Sequence, residues 1–219
     1  MKLNTTTKPW NIIFKAFLYF LIAAFSFSVN AQNIAKNIFS ANGISGVYIN
    51  GEQIFDISVE TSSRNNIEIA SISDGEYGNE FSVISEVKGN QLIIALKRTV
   101  LYDTPDDKRN AHKVISASLE IKMPQNLNLS IKSDVGSVDA KGNFNDLKMD
   151  LAQGNCKVLG ISKSAEIKTA NGNIRVVTKN AIIETDSKSG LVDIPNNMFG
   201  FNVWKLTTVS GNITVKKAE

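Results

Sequence analysis

Along the carboxy-terminal half of the chain, apolar and polar positions alternate with a period of two, and the alternation resets at glycines. Gly136, Gly154, Gly172 and Gly190 recur at a constant 18-residue interval, and Gly211 follows at a longer one. Seven positions before these glycines are Leu129, Leu147, Ala165, Ile183 and Trp204; five before are Ile131, Met149, Ile167, Thr185 and Leu206. Two after come Val138, Cys156, Ile174, Val192 and Ile213; four after come Ala140, Val158, Val176, Ile194 and Val215. Only Thr185 is not apolar in these columns, and the positions between them are almost all polar. Each repeat therefore reads as two short strands bent at a glycine. An antiparallel sandwich would also alternate, but it requires neither equal spacing nor the same residue class in the same column five times. Strands stacked in register require both. The pattern predicts an all-β chain whose residues 125–219 form a parallel β-solenoid (β-helix) of about 18 residues per coil, stacked in chain order. Glycine serves as the corner because a side chain would block the backbone angles needed there. Asn155, Asn173 and Asn212 follow it, where a short amide can bond locally or stack into a ladder.

The long final interval contains "PNNMFGFNVW". Met198, Phe199, Phe201 and Trp204 are expected to cover the open end of the core, and Lys216 and Lys217 to protect the edge behind them. Residues 32–124 are also strand-rich but do not keep the period, and are expected to continue or cap the solenoid as less regular strands. "QIFDISVET" alternates with Phe55, Ile57 and Val59 on one side. "EFSVISEVKGNQLIIALKRT" predicts two strands joined at Lys88-Gly89-Asn90, and "VISASLEIKMP" a strand with Ile115, Ala117, Leu119 and Ile121 on one face, ended by Pro124.

Positions 1–31 stand apart. Lys2, Lys8 and Lys15 precede an apolar run from about Ala16 to Phe27, and Val29-Asn30-Ala31 has the small-residue spacing of a signal-peptidase site. The run is shorter than a bilayer span requires. The expectation is a signal peptide cleaved after Ala31, with no stable membrane span afterwards. The three lysines account for the whole formal charge of +3, and their removal leaves as many basic residues as the 21 acidic ones. A chain so close to neutrality has no electrostatic claim on nucleic acid. Its single cysteine, Cys156, cannot close an internal disulfide, and shares a core-facing column with Val138, Ile174, Val192 and Ile213, where a thiol acts as a small apolar group.

Few residues suggest chemistry. His112 is the only histidine, which excludes multi-histidine metal sites. It lies in the most polar stretch, "YDTPDDKRNAHK", with Asp103, Asp106, Asp107, Lys108 and Arg109, a candidate interaction loop that a solvated connection between strands explains better, since charged loops are common and the calcium-loop pattern is absent. Parallel β-helices also carry polysaccharide-cleaving enzymes. The outward acids Asp150 and Asp186 would stand two coils, roughly 10 Å, apart, marginal against the ~5–9.5 Å of a glycosidase pair, and the intervening Lys168 would hold both ionised. Aromatic platforms for sugar rings are also missing from these faces, and no catalytic residue, cofactor or metal is expected.

The stretch "MPQNLNLSIKSDVGSVDAKGNFNDLKMDLAQGNCKVLG", with "AEIKTANGNIRV" and "WKLTTVSGNITV", resembles the putative-adhesin β-strand-repeat family of bacterial envelope proteins, over about residues 115–217. The resemblance implies a β-solenoid fold and carries no family-wide catalytic residues. The expectation is a non-enzymatic exported interaction module, periplasmic, at the cell surface or extracellular, whose partner is a protein or glycan of the envelope. The alternatives are a periplasmic accessory or sensor module in envelope homeostasis and, more remotely, a carbohydrate-active β-helix enzyme.

Overall fold

The computed structural model describes residues 33–74, 81–98 and 116–219. The expected leader, the loop carrying Asp103, Asp106, Asp107, Lys108, Arg109 and His112, and Ile115 all lie outside the described residues. Gln32–Glu219 forms one compact unit. Among the described residues its strands join in a single open sheet of 15, with ends of the main path at β1 (Asn33–Ser40) and β13 (Val192–Asp193).

The sheet is mixed. Antiparallel pairs occupy the amino-terminal part: β1 with β4 (Asn66–Asp74), β4 with β7 (Ser116–Pro124), and β5 (Phe81–Lys88) with β6 (Gln91–Arg98). The last pair turns at Gly89, whose φ is +62°, as the Lys88-Gly89-Asn90 hairpin predicts. A uniformly parallel stack is therefore not what forms. In β3 (Ile54–Ser62) the register shifts between Ile54 and Asp56, so Ile54, Ile57 and Val59 point inward while Phe55 is exposed. Strict alternation put Phe55 on the inner side; the bulge reverses it.

Parallel pairing carries the rest. β2 (Gly46–Asn50) lies beside β8 (Asn128–Ser133), and β3 beside the start of β9 (Ser137–Gln153). β9 and β10 (Cys156–Asn171) pair at an 18-residue offset, with Val138 opposite Cys156 and Met149 opposite Ile167. β11 (Ile174–Thr178) repeats that offset, with Cys156 opposite Ile174. The order then departs from chain order. β14 (Asn202–Ser210) pairs with β10 on one side and with β12 (Ala181–Ser189) on the other. β15 (Ile213–Lys217) likewise lies between β11 and β13. Across the sheet the glycines run Gly136, Gly154, Gly172, Gly211, Gly190: the last repeat is inserted before the penultimate one.

Three local features account for this exchange. Trp204 has no exposed surface and packs between the opposing residues Ala165 and Ile183, a small neighbour on one side making room for the indole. At the end of the stack one face of that ring would meet water. The penultimate repeat brings the one polar member of the columns, Thr185, which loses least at an edge. The asparagine ladder is the third feature. Asn155 Oδ1 accepts from Asn173 N–H at 2.9 Å, Asn173 Oδ1 from Asn212 N–H at 2.9 Å, and Asn212 Oδ1 from Leu191 N–H at 2.8 Å. In chain order Leu191, which has no acceptor to offer, would interrupt it.

The ladder yields a modest prediction. Asn173→Ala removes one acceptor and leaves Asn212 N–H to water, costing about 1 kcal/mol. Urea unfolding of this variant beside exposed Asn196→Ala, which should shift stability by under about 0.5 kcal/mol, measures it.

Candidate functional site

The strands leave two surfaces on which a partner could act: the outward face of β8, β9, β10, β14 and β12, and the carboxy-terminal edge. On the outward face charges stand in rows across the strands. Lys148, Glu166, Lys205 and Glu184 are successive cross-strand partners and alternate in sign. Lys148 Nζ is 3.5 Å from Glu166, Lys205 Nζ is 3.7 Å from Glu184, and Lys168 also bonds Glu166. The Lys168 hydrogen bond, with the charges of Lys168 and Lys148, holds the Glu166 carboxyl below its usual range against the opposing effect of burial, and Glu166 raises Lys168 in return. Chain order would have set Glu166 against Glu184, so this row too fits the inserted arrangement. On the other side of the glycine bend Lys157 meets Asp139 at 2.6 Å and Lys141 meets Glu60 at 2.9 Å.

Beside the first row runs an open groove of about 460 Å³. Its wall is Lys132, Asp150, Lys168 and Thr207; its floor includes Ala152 and Ala170, whose short side chains make the depression. The groove crosses the strands, and its charged wall alternates at the strand spacing, about 4.8 Å.

Asp150 and Asp186, the candidate acid pair, are farther apart than chain order implied. Lys168 and Thr207 stand between them in the same row, which makes three strand spacings, about 14 Å. Insertion of the last repeat moves Asp186 out by one strand, beyond any glycosidase geometry. Among the described residues there is no group of three or more acidic, histidine or cysteine side chains placed to share a metal ion.

The glycines occupy the bend. Gly154, Gly190 and Gly211 have φ of +129°, +155° and +149°. A Cβ on Gly154 would overlap the Gly136 carbonyl, one on Gly172 that of Gly154, one on Gly211 that of Gly172, and one on Gly190 that of Gly211. The bends stack as a column of backbone with no space for side chains, in the same exchanged order as the strands. A second column, Gly142 against Gly160, forms the opposite bend, which the periodicity of the first column concealed.

Cys156 is buried, and burial pushes its thiol up to about 12. A thiol that stays protonated in the fold favours the unfolded chain once the unfolded thiol ionises. Stability is thus intact below pH 9 and declines as pH rises from 9 toward 12. Cys156→Ala should abolish that part of the alkaline decline, measured as the difference in Tm between pH 8 and pH 10.5 for the two proteins. The native thiol should also resist aqueous disulfide reagents until the chain is unfolded.

At the carboxy-terminal edge the expected cover divides. Trp204 is in the core and Met198 packs partly against it, while Phe199 and Phe201 are 76% and 98% exposed. Between them, Gly200 lies so close to the Asn180 backbone that a Cβ there would overlap it. Phe201, Val203 and Ile182 leave an apolar patch there. Lys216 and Lys217 stand exposed beyond the reach of β13, which pairs only with Ile213 and Thr214 of β15.

No family model matches the chain, and no curated protein matches it by sequence. Solved structures do. A putative cell adhesion protein from Clostridium sporogenes superposes with a TM-score of 0.62 at 15% identity, covering 85% of this chain and all of that one. The two share a fold. Putative adhesins from Bacteroides fragilis and Parabacteroides distasonis each align over 85% of this chain and 97% of theirs, at 14% identity and TM-scores of 0.38.

Proposed function

We propose that the chain is an exported, non-catalytic β-solenoid protein that acts as an adhesin-like interaction module at the bacterial cell envelope. The observation that carries this reading is the fold shared with the Clostridium sporogenes protein over the whole length of that chain. In the proposal residues 1–31 are a signal peptide, 32–124 an irregular β-strand region that closes one end, and 125–219 the solenoid repeats with their terminal cap. Parallel pairing at 18-residue offsets over residues 128–178, and stacked glycine bends that continue to Gly211, support the solenoid reading. Binding falls to the broad outward face. Its ion pairs fix the positions of charged groups along the stack, and the groove over Ala152 and Ala170 gives an extended glycan or peptide of the envelope a track to follow. The acidic and basic side chains of this face are spread in rows, which serves contact over a surface and not convergence on one bond.

The test is fractionation of cells carrying the protein, with mass spectrometry of the mature amino terminus and protease shaving of intact cells. A chain beginning at Gln32 and removed by shaving supports the adhesin reading. A chain beginning at Gln32 but protected from protease contradicts surface display and points to a periplasmic accessory module. An intact Met1 contradicts the cleaved leader.

A further inference from the structure

The inserted repeat is held like a guest. β14 has a parallel neighbour on each side, β10 and β12, both of which precede it in the chain, and β15 sits in the same way between β11 and β13. The β10–β11 edge on which it docks is paired to β9 independently of residues 202–217, whereas β12 and β13 pair, among the described residues, with β14 and β15 alone. That edge has a fixed chemistry. It offers the small side chain of Ala165 opposite an indole, the Asn173 Oδ1 as acceptor for one backbone N–H, and the Gly172 carbonyl against which only glycine fits.

The tie between this repeat and the rest of the chain is residues 194–201. Three residues exceed the 18-residue interval, and they lie where the chain, between β13 and β14, moves back across the sheet instead of onward. Descending one strand spacing instead of climbing one changes the displacement by two spacings, about 9.6 Å. Three extended residues supply about 10 Å. The link is otherwise lightly held: Asn196, Asn197, Phe199 and Phe201 are exposed, and its far end is fixed by Asn202 N–H donating to Asn180 O at 3.3 Å.

From this we infer that the β10–β11 edge is a strand-acceptor site, and that a second copy of this chain docks its own residues 202–217 on it whenever its own link cannot reach. The product is an exchanged dimer in which each copy completes the other's sheet with the same contacts the single chain makes. Hinge length selects between the two forms, as in other strand-exchanged proteins.

Deleting residues 195–197 from the full chain restores the 18-residue interval while keeping Met198 against the core. Light scattering should then give twice the mass of the unaltered chain with the β-sheet circular dichroism retained. A monomer with unaltered stability would overturn the inference, because the return step would not need the added length. If the deletion variant does not fold, a second form decides. A protease site placed in 194–201 of the full chain is cut after folding, and isotope-labelled peptide 202–219 is added in excess. Uptake of the labelled peptide into the folded particle supports an exchangeable site. Its exclusion after incubation a few degrees below the Tm overturns it.

Discussion

Trp204→Ala is expected to destabilise the protein by about 3–5 kcal/mol, the range for truncating a fully buried aromatic side chain. The ring has no exposed surface, and its Nε1–H donates to the Ser162 carbonyl at 3.2 Å. Removing it leaves a void between Ala165 and Ile183 that Ala165 is too short to fill, and strands bonded on both flanks cannot collapse into it. Ser162 O also loses its donor. The measurement is the urea midpoint at constant m, alongside Phe201→Ala. Phe201 is also a large aromatic side chain, yet it is 98% exposed. Its loss should change stability by under about 0.5 kcal/mol. Equal losses in the two variants would show that both rings serve as a cover and would contradict the inserted order.

Gly154→Ala is the second large effect, expected at about 3 kcal/mol or more from backbone strain and crowding together. Its φ of +129° is a region that side chains rarely enter, worth ~1–3 kcal/mol of strain. The added methyl would also overlap the carbonyl of Gly136, and Gly172 stacks on Gly154 in the same way from the other side. Relief requires adjacent strands to separate along the whole bend. Gly43→Ala is the informative control. Its φ is +79° but nothing lies within 4 Å of the new methyl, so only the backbone cost of about 1–2 kcal/mol remains. The excess of the Gly154 loss over the Gly43 loss, read from thermal or urea unfolding, reports crowding in the glycine column once it passes the ~1 kcal/mol by which the two backbone costs can differ.

How much of this was legible in the sequence follows from what a column can and cannot encode. A constant 18-residue spacing, with apolar positions at fixed distances from glycine, specifies which residues share a column, and Val138, Cys156 and Ile174 do. It does not specify their order, because an apolar column is satisfied by almost any permutation. The order was written in the exceptions: Thr185 among apolar residues, Leu191 where asparagine would continue the ladder, and a lengthened interval before Trp204. Each marks the penultimate repeat as an end and the last as an interior member. The bulge at Ile54–Asp56 left no such mark, since Phe55 is as apolar as Ile54 and both registers keep the alternation. The pairing partners on the charged face could not be read from the columns. Glu184 finds Lys205 because of the exchange. The groove depends on Ala152 and Ala170 lying on adjacent strands; the 18-residue spacing contained that information, but small outward residues gave no reason to look there.

The exchanged order is the claim on which the core, the ladder, the distance between Asp150 and Asp186 and the acceptor site all rest, and cysteine pairs test it directly. In a Cys156→Ala background, Lys168→Cys with Thr207→Cys places thiols on adjacent strands, whereas Lys168→Cys with Asp186→Cys places them two strands apart. A disulfide needs Cα atoms within about 7 Å, which neighbouring strands at ~4.8 Å satisfy and next-nearest strands do not. Mild oxidation followed by mass spectrometry should therefore join 168 to 207 and leave 168 and 186 free. A bond between 168 and 186, with 207 unlinked, would mean that the repeats stack in chain order.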